Sequence, residues 1–157
     1  MTAEKIPYVG LGLYWNDLTV GQKFRTINRT ITETDLVNFI NATGLLEVIF
    51  TDHTFGAEQG AAIKGRPVPG ALCYSFIEGI LAQSTMQHTG LAMLETNLKV
   101  QGPTMVGDTI HCVVEVTAVR PTSKGNRGIV TTRNDIINQK GETPITYTVT
   151  RMMAGHD

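Results

Sequence analysis

Pro69–Gln101 reads PGALCYSFIEGILAQSTMQHTGLAMLETNLKVQ, and a change of period inside this stretch decides the fold. From Ala71 to about Gln87, Leu72, Phe76, Gly79, Ile80 and Gln83 follow one another by three or four, the spacing of one helix face. Leu72, Ile77 and Leu81 widen that face until apolar residues nearly surround the helix, so it has to lie inside a wrap of other elements. After Gly90 the period becomes two. Leu94, Thr96, Leu98 and Val100 alternate with Glu95, Asn97, Lys99 and Gln101, which predicts a strand with one buried face.

Downstream, Asp108 to Val119 repeats the alternation through Ile110, Cys112, Val114, Val116 and Ala118. Arg127 to Ile137 and Ile145 to Met153 are two further strands, joined by a turn at Asn138-Gln139-Lys140-Gly141. Upstream, Phe24 to Ile31 is rich in Thr and Ile and predicts a first strand. Thr32-Glu33-Thr34-Asp35 then places an N-cap residue three positions before a carboxylate, and Leu36, Phe39 and Ile40 recur at helical spacing up to about Asn41. Gly44 ends this short helix, and the stretch to Gly65 reads as a long loop with one turn of helix. The order is strand, short helix, loop, long helix and four antiparallel strands. It predicts an α+β chain, one domain over 1–157, with an antiparallel sheet curled around the long central helix. Such a sheet leaves an unpaired edge, and pairing two sheets edge to edge predicts a homodimer or higher homo-oligomer.

Composition narrows the function. Of 157 residues, 41% are hydrophobic and 17% charged, far from the composition of a disordered chain. The net charge of -1, with no run of Lys or Arg, argues against nucleic acid as a partner. No segment approaches the roughly 20 apolar residues needed to cross a bilayer, and Met1 to Leu13 lacks the apolar stretch of an export signal, so no membrane partner and a cytoplasmic location are expected. Cys73 and Cys112 have no CxxC spacing and read as buried small apolar side chains. His53, His88, His111 and His156 are scattered, so no metal site is expected. Without a phosphate-binding glycine loop or a dinucleotide fingerprint, no cofactor is expected either.

Three stretches resemble one family. The Trp15-Asn16-Asp17-Leu18-Thr19-Val20-Gly21-Gln22 opening with the Ile31-Thr32-Glu33-Thr34-Asp35 helix start resembles the beginning of MaoC-like dehydratases and R-specific enoyl-CoA hydratases, which have the hotdog fold. Gly65-Arg66-Pro67-Val68-Pro69-Gly70 resembles the turn into that family's central helix. Val106-Gly107-Asp108-Thr109 and Asn138-Gln139-Lys140-Gly141-Glu142 resemble its later strand-edge and hairpin signatures. The resemblance implies a homodimer, an acyl-thioester substrate, CoA-linked, and addition of water to an enoyl double bond or its removal. The family carries a catalytic Asp and His five residues apart after the short helix; at those positions this chain has Leu45 and Phe50, and Pro69 replaces a His before Gly70.

These departures shape the candidates. A positioned acid or base contributes about 10² to 10⁴ in rate, and neither Leu45 nor Phe50 can supply it. Both are instead expected to line the substrate site. Gly70 and Ala71, opening the central helix, are candidates to bind the thioester carbonyl through backbone amides backed by the helix dipole. Glu47 is the first candidate for a replacement acid or base, because Leu45, Leu46, Ile49 and Phe50 around it would desolvate its carboxyl. Asp52 is the second, with a loop-stabilising role as its simpler reading. A thioesterase reading would use Glu78, on the central helix, or Glu47 to aim water at the carbonyl, although a polar position on the less buried edge of the helix is the simpler reading of Glu78. Arg120, Lys124 and Arg127 could meet carrier phosphates, although three charges on a hairpin are usually a solvated tip. Two readings therefore stand, an enoyl-thioester hydratase or dehydratase with a rearranged site and a non-catalytic acyl-CoA-binding hotdog subunit, with an acyl-CoA thioesterase behind them.

Overall fold

The structure is a computed structural model that describes residues 6–55 and 63–156. Its backbone is an antiparallel sheet in which β6 (Thr109–Pro121) pairs with β7 (Arg127–Ile137), β7 with β8 (Ile145–Ala154), and β8 with β4 (Gly90–Val100). The expected first strand is two short ones. Both β1 (Lys23–Arg25) and β2 (Arg29–Thr30) lie against β6, and between them Thr26 takes over the ladder by donating its N–H to the Cys112 carbonyl at 2.9 Å. A second small sheet joins β3 (Pro67–Val68) to β5 (Thr104–Met105).

The central helix α3 spans Gly70–Thr85, and α1 (Glu33–Thr43) and the single turn α2 (Val48–Thr51) precede it. Leu72, Cys73, Ile77 and Leu81 of α3 join Ile110, Cys112, Val114, Ile136, Ile145, Tyr147 and Val149 of the sheet in one core. Full burial of each large aliphatic or aromatic side chain contributes about 1.5–3 kcal/mol, so the helix cannot leave the sheet cheaply. Burial also pushes the Cys73 thiol up to about 11 and that of Cys112 up to about 12, and both cysteines are free, as expected of packing residues. Leu18, Val116, Val130 and Met153 form a second, smaller core. Between the two lies a small chamber of about 30 Å³ bordered by Asn134, whose buried Nδ2 and Oδ1 have no hydrogen-bond partner among the described residues.

Local signals explain the element ends. In the capping box of α1 the Asp35 amide donates to Thr32 Oγ1 at 3.2 Å, the Thr32 amide donates to Asp35 Oδ2 at 2.9 Å, and Gly44 closes the helix at φ 70°. Two of the stretches that suggested a family are one junction in space. Asp108 accepts from the Met105 amide at 2.8 Å and from Gln139 Nε2 at 2.7 Å, while Gln139 Oε1 accepts from the Thr109 amide at 2.9 Å. The last hairpin is thereby fixed to the turn entering β6.

One expectation fails. The Leu94, Thr96, Leu98 and Val100 face of β4 is exposed along its whole length, as is the rest of the strand. Beyond β8 this strand has no further neighbour among the described residues, and its register shifts between Met93 and Glu95. The alternation is present, but the described residues leave most of that face uncovered, and Val100 alone of the four borders the Gly70 cleft.

Candidate functional site

A cleft of about 420 Å³ opens at the N-terminal end of α3. Pro69 and Gly70 form one wall, Val100 to Thr104 a second, and Ile49 and Phe50 of the α2 turn a third. Proline is a natural start for this wall, because its fixed φ of −59° leads into the helix and it has no N–H to satisfy. The first amides of α3 have no intrahelical acceptor, by helix geometry, and carry the positive end of the helix dipole. Space at Gly70 is tight: a Cβ there would meet Val100 Cγ2 at 3.0 Å, so Val100 would have to give by a few tenths of an ångström.

The sequence candidates divide. Gly70 and Phe50 border the cleft, and Phe50 is also 8% exposed and part of the main core. Leu45 packs against that core but is not among the cleft walls, and Ala71, one residue into the helix, is exposed and likewise outside them. Glu47 needs a correction. It is exposed at the N-cap of α2, and Leu46 beside it is 65% exposed, so the apolar enclosure expected around its carboxyl is missing from the single chain. The reason is local: the α2 turn points Ile49 and Phe50 inward, which leaves Leu46, Glu47 and Val48 on its outer side. Asp52 makes the loop bonds that its simpler reading calls for. Its Oδ1 accepts from the Thr54 amide at 2.8 Å and from Thr54 Oγ1 at 2.7 Å, and these bonds hold its carboxyl below the usual range.

Among its described walls the cleft has no Asp, Glu, His, Cys, Lys, Arg or Tyr; Gln101 and Thr104 are the polar side chains. No group of three or more His, Cys, Asp or Glu able to hold a metal occurs among the described residues, and none of their helices is long and apolar enough to cross a membrane. Arg120, Lys124 and Arg127 sit around the β6–β7 hairpin, whereas Ile145, which lines the cleft, pairs with Ile136 toward the other end of β7.

Sequence reading missed Arg66. Its Nε donates to both Glu33 carboxylate oxygens at 3.0 Å, its Nη2 donates to Glu33 Oε1 at 2.6 Å, and its Nη1 donates to the Phe50 carbonyl. That pairing, in turn, holds the Glu33 carboxyl below its ordinary range. No sequence signal links positions 33 residues apart.

The comparisons with known proteins agree with this architecture. The family model "FAS1-like, dehydratase domain region" matches residues 18–146, and the chain belongs to that family, a hotdog-fold group of the MaoC-like dehydratase kind. A MaoC-like dehydratase from Rhodospirillum rubrum superposes with a TM-score of 0.79 at 23% identity, over 93% of this chain and 99% of that one. The (R)-hydratase from A. caviae involved in PHA biosynthesis gives 0.71 at 26% identity, over 88% and 98% of the two chains. A double-hotdog protein from Mycobacterium tuberculosis gives 0.82 at 20% identity; here 96% of this chain covers 46% of the other. No curated protein matches.

Proposed function

We propose that this chain is a hydratase-type hotdog subunit that binds an acyl thioester, CoA-linked, in the Gly70 cleft and does not by itself carry out acid–base chemistry there. The observation that carries this reading is the set of cleft walls, in which the described residues include no titratable side chain and Phe50 occupies the place where the resemblance puts a catalytic histidine. An apolar acyl group suits Ile49, Phe50, Val68 and Val100, and the amide of Gly70 suits the thioester carbonyl. The protein acts in the cytoplasm as a homodimer or higher homo-oligomer. The exposed β4 edge supports the assembly, since a long apolar edge strand invites pairing with another chain.

A second reading has one observation in its favour. Glu47 is exposed and therefore free to approach the Gly70 end of another copy, where it would act as acid or base in an enoyl-CoA hydratase assembled across the interface. Incubation of the protein with a short enoyl-CoA, following loss of the conjugated double bond and release of free thiol separately, distinguishes the two. The binding reading predicts neither change. Hydration that falls about 10²-fold in Glu47→Gln with unchanged thioester affinity would establish the second reading instead. Thiol release would point to a thioesterase.

A further inference from the structure

We infer that Arg66 is the positioning residue of this cleft: without touching its contents, it sets the distance between the Phe50 wall and the Gly70 amide. The inference rests on the thioester reading given above. Three elements meet at this one residue, two through its side chain and one through its backbone. Its fork grips Glu33, the first residue of α1, and its remaining donor caps the carbonyl of Phe50 in α2. Its own carbonyl accepts from the Val106 amide at 2.9 Å, which fixes the start of β3, and only Pro67, Val68 and Pro69 separate it from Gly70.

The geometry is specific to arginine. Nε and Nη2 address one carboxylate while Nη1 turns to the backbone, so a single planar group serves two acceptors on different elements. Lysine keeps the charge but is a point donor and cannot hold both acceptors in fixed relation. The Arg66 side chain is 20% exposed and that of Glu33 48%, so solvent screens the pair and its worth lies in fixing geometry more than in charge. The α2 turn itself has only four residues, far too few to be stable as an isolated helix, and it has no side-chain cap at its start. What keeps Phe50 in place is therefore its burial and the Arg66 bond to its carbonyl.

The test uses the full chain and two readouts, amide hydrogen exchange in α2 and affinity for hexanoyl-CoA, a saturated thioester that cannot be hydrated. The Phe50 and Thr51 amides donate to the Glu47 carbonyl at 2.9 and 3.1 Å, so their exchange reports whether the turn is formed. In Arg66→Lys both should exchange about tenfold faster, and hexanoyl-CoA should bind about tenfold more weakly, while amides of α3 and β7 keep wild-type protection. In Arg66→Gly, added methylguanidinium should restore both readouts. A purely structural role would lower global protection without this local pattern. Wild-type affinity in Arg66→Lys, or weakened binding with unchanged α2 exchange, would overturn the positioning role. If the wild-type protein binds no hexanoyl-CoA while α2 exchange still responds to Arg66→Lys, the thioester reading falls and the link between Arg66 and α2 stands.

Discussion

Arg151 of β8 holds both carboxylate oxygens of Glu78 of the central helix through one nitrogen, Nη2, which donates to Oε1 at 2.7 Å and to Oε2 at 2.6 Å, and Tyr147 adds its hydroxyl to Oε1 at 2.7 Å. The pair is largely withdrawn from solvent, at 13% and 16% side-chain exposure. Glu78 thus ties the central helix to the sheet.

Breaking that tie on one side should be far worse than removing it on both. Glu78→Gln leaves the Arg151 charge without its counter-ion and should cost about 3 kcal/mol, whereas Glu78→Met with Arg151→Met should recover most of the loss. Urea denaturation midpoints of the two variants give the comparison.

Asn134 offers the opposite case. Its carboxamide is fully buried at the seam between the two cores, and neither atom has a partner among the described residues. An unmade buried hydrogen bond costs about 1–3 kcal/mol, so Asn134→Leu should raise the denaturation midpoint by a corresponding amount. A lowered midpoint would mean that the carboxamide is satisfied in solution.

The Arg66–Glu33 pair sets a pH dependence. Because Glu33 is held below its ordinary range in the folded chain, chiefly by hydrogen bonds from Arg66, its contribution is complete above the ordinary carboxylate value of about 4.3 and is lost as pH falls through the lower folded value. Asp52, lowered by its bonds to Thr54, acts in the same direction. Exchange of the Phe50 and Thr51 amides, corrected for intrinsic rates, should therefore stay constant from pH 7 to about 5 and accelerate below about 4.

The oligomer claim is tested at the β4 edge. Leu94 is 51% exposed there. If two edges pair, light scattering at micromolar concentration should give at least a dimer mass for the wild-type chain, and Leu94→Lys should shift it toward the monomer. A wild-type monomer would remove the homo-oligomer from the account.

How much of this was legible depended on whether a feature is local or distant along the chain. The central helix, the capping box of α1 and the alternating strands follow from neighbours within a few residues, so their periods reveal them. The exposure of Glu47 was not legible because sequence shows which residues adjoin a carboxylate but not which way a one-turn helix faces. Leu94 and Leu98 were misjudged for a related reason, since alternation marks a face that wants cover without saying whether the same chain supplies it. Arg66 with Glu33, and Arg151 with Glu78, join residues 33 and 73 positions apart, and no local pattern announces them. The family resemblance located the Gly70 cleft, but only the structure shows that its described walls carry no acid or base.

The central claim, that a thioester occupies the Gly70 cleft, is tested most directly by titrating isotopically labelled protein with hexanoyl-CoA and following backbone amide shifts. The account predicts that the amides of Gly70 and Phe50 move together along one saturating curve, with the Gly70 proton shifting downfield as it meets the carbonyl, while the amides of the Arg120–Arg127 hairpin stay still. Saturable shifts confined to residues away from the cleft, or no shifts at all at millimolar ligand, would contradict it.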